Sequence, residues 1–103
     1  MKYTIEYTIR AQSDLDDIYK YIALTLLSPD VAENMYREIT KSIRSLDSMP
    51  MRNPVIDNEP WKSKGLRKII VKKYVVFYTV DNQSVRIIRI FYGGRDIKSQ
   101  LMY

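Results

Sequence analysis

The chain of 103 residues contains no cysteine and no histidine. Without cysteine it has neither disulfides nor thiolate metal sites, and without histidine it lacks the commonest metal ligand and the usual general base near neutral pH. Any chemistry must come from other groups. A carboxylate-only metal site needs clustered acids, whereas the 12 Asp and Glu residues are scattered along the chain, so no metal and no cofactor is expected. Long apolar runs are missing as well. None approaches the roughly 20 residues that span a bilayer, and the N-terminus has no basic segment followed by an apolar signal region. A cytoplasmic protein without membrane contact is expected. Finally, acidic residues are scarce in one part of the chain. Residues 61–103 hold ten basic and two acidic side chains, net +8, against −3 for residues 1–60.

What is present is ordinary globular material. A hydrophobic content of 46% with 28% charged residues is too rich in aliphatic and aromatic side chains for a disordered chain. The length fits one domain spanning 1–103, with room for one modest core. Residues 2–8, KYTIEYT, alternate, placing Tyr3, Ile5 and Tyr7 on one face of a half-buried strand. From Ala11 the period changes: Ala11, Leu15, Ile18, Ile22 and Leu26 form one helical stripe that should stop at Ser28. Thr8 or Ser13 would cap this helix, with Asp14, Asp16 and Asp17 near its positive N-terminal end. Ser28-Pro29-Asp30 opens a second helix whose stripe runs through Ala32, Met35 or Tyr36, Ile39, Ile43 and Leu46 to Met49-Pro50. Two helices on so short a link form an antiparallel hairpin.

Pro50 to Lys64 is rich in Pro and Asn and reads as an ordered or semi-ordered loop without regular structure, with Trp61 as its anchor on the core or, in a functional alternative, as a stacking platform for a base. Three strands follow at Leu66 to Lys72, Tyr74 to Val80 and Val85 to Tyr92, and the short turns between them impose antiparallel pairing. Gly93-Gly94 releases the chain into a tail from Arg95 to Tyr103 containing at most a helical turn. The fold class is therefore α+β: an N-terminal strand, a two-helix hairpin, then a three-stranded antiparallel meander in a small curved sheet. The hairpin packs on one sheet face and the other face is left open.

That open face and its rim would present Arg67, Lys68, Lys72, Lys73, Arg86, Arg89 and Arg95 interleaved with Tyr74, Tyr78 and Tyr92. Cations neutralise phosphates and aromatic rings stack on bases, so the combination fits a nucleic-acid backbone or an acidic protein segment. The same charges also protect sheet edges and keep a surface soluble. Catalysis without histidine would need a Lys or Tyr with a shifted pKa, in the way a desolvated lysine among other cations becomes a base.

The order and spacing of several elements resemble the RelE/ParE superfamily of bacterial toxins from type II, often plasmid-stabilising, toxin–antitoxin modules. The matching elements are YTIEYT, A-x-x-D-L-x-x-I-x-x-Y-I at Ala11 to Ile22, S-P-D-x-A at Ser28 to Ala32, L-x-x-M-P at Leu46 to Pro50, G-L-R at Gly65 to Arg67, Y-V-V-F-Y at Tyr74 to Tyr78 and V-R-I-I-R-I-F-Y-G-G-R-D at Val85 to Asp96. The resemblance implies a small curved antiparallel sheet with a helical hairpin. It also implies a cognate antitoxin that wraps the toxin in a complex of higher oligomeric order.

RelE-type members cut mRNA on the ribosome with a K-x-K pair, two arginines and a tyrosine. Here Arg67 and Ile69 fall at the K-x-K pair and Val75 at the second-strand Arg. Arg95 falls at the last Arg and Leu101 at the terminal Tyr, with Tyr103 two residues on. ParE-type members lack that set and bind DNA gyrase. The G-L-R, V-F-Y and Y-G-G-R-D elements look more like the ParE branch, which implies a growth-inhibiting gyrase poison whose contacts include Arg67, Lys72, Lys73, Arg89 and Arg95. The alternative is a ribosome-dependent endoribonuclease acting on ribosome-bound mRNA through Arg67, Lys68, Arg95 and Tyr92 or Tyr103. A third possibility is a non-catalytic basic module that binds nucleic acid or acidic protein.

Overall fold

The computed structural model describes residues 2–93 and Leu101. Strands β1 (Thr4–Tyr7), β2 (Arg67–Val71), β3 (Tyr74–Val80) and β4 (Ser84–Tyr92) form one sheet in the order β1-β4-β3-β2. The last three strands lie where the sequence puts them, within a residue at each end, and they pair antiparallel as a meander. β1 instead runs parallel to β4, with Ile5 opposite Val85 and Tyr7 opposite Ile87, so the sheet is mixed. No turn dictates the direction of that pair, because the whole remainder of the chain lies between its two strands.

Helix α1 (Ile9–Lys20) starts at Thr8, whose Oγ1 accepts the Ala11 N–H at 3.0 Å, so Thr8 rather than Ser13 is the cap. Its first turn holds no acid, and the three aspartates lie farther along. The α-helix does not reach Ser28. It widens into a π turn over Tyr21–Thr25 and ends with Leu27 in the left-handed region at φ 52°. The widening rotates the stripe, so Ile22 stays buried while Leu26, expected on the same face, is exposed. Helix α2 (Pro29–Arg44) begins with Pro29 in its first turn, as expected. The Ser28 hydroxyl, however, donates to Leu26 O instead of capping the helix. Between Met35 and Tyr36, it is Met35 that packs inward. Among the described residues, no helix is long and apolar enough to cross a membrane.

The hairpin covers one sheet face. Ala11, Leu15, Ile39, Ile43 and Leu46 pack there on Val71, Val76, Tyr78, Val85, Ile87 and Ile90. The opposite face is covered as well, except toward Lys68 and Ile70 at the β2 edge, which stay exposed. Leu66, Val75, Phe77 and Phe91 form a second buried cluster beneath Ile56, Trp61, Ile88 and Leu101. The loop between α2 and β2 folds back over that face, with Ile56 N–H donating to Leu66 O, and Trp61 anchors it as its position suggests. A meander with apolar residues on both faces needs two covers, and the long loop supplies the second.

Candidate functional site

Among the described residues, those expected to make contacts do not share one surface, because strand alternation and the two covers separate them. Arg67 opens β2 and its guanidinium donates to the carbonyls of Met51 and Asn53. Beside it the wholly buried Tyr78 donates to Pro50 O at 2.7 Å and accepts from Asn53 Nδ2 at 3.0 Å. Together the two side chains pin the chain after α2 to the sheet. Tyr78 is thus a core residue on the hairpin side, not an exposed platform.

Arg89 is committed inside the molecule. Beyond Tyr7 the edge of β4 has no strand partner among the described residues, and the start of α1 runs along it: Thr8 N–H donates to Ile87 O and Thr8 Oγ1 to Ile88 O. Asp14 completes this border. Its carboxylate accepts Ile90 N–H at 2.9 Å, Arg89 Nε at 2.7 Å and Arg89 Nη2 at 2.9 Å. The pair is 16% and 13% exposed, and the guanidinium also lies 4.5 Å from the centroid of the Phe91 ring. The hydrogen bonds to Asp14 hold the Arg89 pKa above its ordinary value against the opposing effect of burial. A bulge at Ile88, between the Phe77–Arg89 and Tyr78–Ile87 pairs, helps turn Arg89 toward that edge.

The described residues that do come together lie at the β2–β3 turn. Lys72 takes a left-handed φ of 58°, Lys73 O accepts Gly93 N–H at 2.7 Å, and Tyr74 stands opposite Tyr92 with ring centroids 5.8 Å apart, edge to face. Tyr92 is 46% exposed, and both lysines are exposed with no ion-pair partner among the described residues. Burial pushes the Tyr74 hydroxyl above its ordinary pKa, reinforced by Tyr92 and by Tyr21, which brings the hairpin into this neighbourhood. Lys68 is exposed on the outer face next to exposed Ile70, and Arg86 reaches Glu6 at 3.8 Å. Ile69 and Val75, at positions where a nuclease needs charge, are packed into the two apolar clusters. Arg95 and Tyr103 lie outside the described residues.

Periodicity overlooked one feature. The segment Tyr21 to Pro29 carries no charge, and its apolar side chains are not consumed by the core. Tyr21 is 55% exposed, Leu24 70%, Leu26 52% and Leu27 81%, with Val31 at 52% just inside α2. The missing charge was the available signal, hidden because leucines at helical spacing read as a buried stripe.

The family model for the ParE toxin of the type II toxin–antitoxin system parDE matches residues 5–97. No curated protein sequence matches significantly. Among solved structures, the fold resembles the chromosomal ParDE toxin–antitoxin system of P. aeruginosa, with a TM-score of 0.73 and 21% identity over 88% of this chain and 96% of that one. It also resembles the RelBE2 toxin–antitoxin complex of Mycobacterium tuberculosis, with a TM-score of 0.64 and 19% identity over 89% and 92% of the two chains. For the archaeal RelE–RelB complex of Pyrococcus horikoshii the TM-score is 0.62, at 19% identity over 92% and 99%.

Proposed function

The chain belongs to the ParE toxin family of type II toxin–antitoxin systems, and on that premise we propose that it arrests growth by binding. In this reading it seats on DNA gyrase in the cytoplasm, holds that enzyme in its cleavage complex, and is neutralised by a cognate antitoxin in a complex of higher oligomeric order. The observation that carries the reading is the fate of the charged positions. Arg67 is bonded to backbone carbonyls and Arg89 to Asp14, while Ile69 and Val75 are packed among apolar side chains. A phosphate-cleaving centre needs several converging cations and a proton acceptor, so no bond-making step is assigned to any of the described residues. Lys72, Lys73 and Arg95 remain proposed contacts. The RelBE2 and RelE–RelB relatives were solved as toxin–antitoxin complexes, which supports an antitoxin partner here.

One observation favours a second reading. Exposed Lys72 and Lys73 share the β2–β3 turn whose backbone bonds Gly93, next to exposed Tyr92, and two cations near a hydroxyl are able to hold a phosphodiester, as a RelE-like endoribonuclease acting on ribosome-bound mRNA would require. Inducing the protein in cells separates the two. DNA supercoiling and double-strand breaks are compared with mRNA 5′ ends mapped on ribosomes. Gyrase poisoning gives broken DNA without new codon-phased mRNA ends, and phased ends without DNA damage would sink it.

A further inference from the structure

The tip of the helical hairpin has properties that the fold does not require. Leu24 and Leu27 are 70% and 81% exposed, and with Tyr21, Leu26 and Val31 they make an apolar end on a pair of otherwise amphipathic helices. Solvent-facing leucines contribute little to stability, and a cluster of them on a soluble chain marks a contact surface. The local backbone is also unusual. A π turn over Tyr21–Thr25 is followed by Leu27 at φ 52°, a conformation costly for a leucine and kept where the surroundings impose it.

The neighbours of the tip restrict what covers it. Tyr21 lies close enough to Tyr74 to influence its hydroxyl, and Tyr74 stacks edge-on with Tyr92 beside Lys72 and Lys73. The surface is therefore apolar at its centre with a two-lysine flank. A nucleic-acid backbone needs several cations along its path, whereas Tyr21 to Pro29 carry none and exposed Lys20 alone stands beside them. A second copy meeting it symmetrically would set lysine against lysine. The matching chemistry is a protein surface with apolar side chains next to carboxylates.

Resting on the reading of the chain as a binding toxin, we infer that the hairpin tip, with Lys72 and Lys73 at its flank, is a docking surface for such an acidic, apolar patch on the toxin's protein target. With Arg67 and Arg89 committed internally, the tip gathers four exposed apolar side chains within one seven-residue segment, Tyr21 to Leu27, where other exposed apolar residues such as Ile9 and Ile70 stand apart. Anchors of this kind, desolvated on binding, carry most of an interface's energy.

The test replaces Leu24→Gln and Leu27→Asn together. Gln is helix-compatible, and Asn tolerates a left-handed φ better than Leu, so the melting temperature should hold or rise. Induced in cells, the double variant should leave at least tenfold more survivors than the wild type. It should still co-purify with a co-expressed cognate antitoxin. A Lys72→Glu, Lys73→Glu variant should likewise raise survival. Undiminished arrest by the Leu24/Leu27 variant overturns the inference. So does loss of antitoxin capture, which would assign the tip to the antitoxin instead. Purified DNA gyrase assayed with wild-type protein separates this from the target: unaffected supercoiling would remove gyrase, while the survival comparison would still judge the tip.

Discussion

An arginine on a strand is drawn as readily to a carboxylate of its own chain as to a phosphate from outside, and Arg89 has taken the first course. Its partner lies 75 residues away on α1, a separation at which no spacing rule operates, so the sequence marks Arg89 as a cation without revealing its commitment. Asp14 serves three donors, including the otherwise unpartnered Ile90 N–H at the β4 border. Asp14→Ala leaves a largely buried guanidinium and an amide without acceptors, and it should cost about 3 kcal/mol. The loss is read from the urea midpoint, and a change below about 1 kcal/mol would mean that the pair does not hold α1 to the sheet. Tyr74 gives a pH dependence. Burial first, then Tyr92 and Tyr21, raise its hydroxyl above the ordinary 10.0. The fold favours the neutral phenol, so this contribution is complete below about pH 10 and is lost as the pH climbs through the raised value. In an ultraviolet titration Tyr74 should ionise above the ordinary tyrosine value, and Tyr92→Phe should bring its midpoint down. A midpoint that does not move in that variant would disprove the coupling between the rings.

The elements themselves were the most legible part. Alternation and turn residues located β2, β3 and β4 closely, and the Pro29 signal placed the start of α2. The misreadings came where one local pattern allows two environments. Leucines at helical spacing look alike in a core and on a protruding tip, and only the π turn after Lys20 decides that Leu26 faces water. Likewise Val75, Phe77 and Phe91 sit on the sheet face away from the helices. That face looked open because its cover is an irregular loop with no period to detect. Gly65 closes that loop onto β2 at φ 68°, with nothing within 4 Å of where a Cβ would stand. Gly65→Ala should therefore destabilise by about 1 kcal/mol through backbone strain alone. Differential scanning calorimetry would show it as a lowered melting temperature, and an unchanged value would mean that the turn relaxes.

Across the whole molecule, charge asymmetry proved a poor guide to a single basic face. The excess of positive charge in residues 61–103 is real, but among the described residues the fold divides it between the Arg89–Asp14 pair, a loop clamp at Arg67, the Arg86–Glu6 pair across β1 and β4, and exposed lysines. Among those residues the surface that remains is smaller than the sequence implies and partly apolar. The family and the overall architecture were readable because they rest on many weak signals in a fixed order. The candidate site was not, because it depends on which side chains the tertiary contacts had already taken. One topological fact bears on how such a protein is made. The strand completed last, β4, is an inner strand with neighbours on both sides, and one of them is the first strand of the chain. Pairing across that span is slow and non-local. The sheet is therefore closed only when residues 4–92 are all available, and a fragment ending before Ser84 would leave β1 and β3 without the strand that joins them.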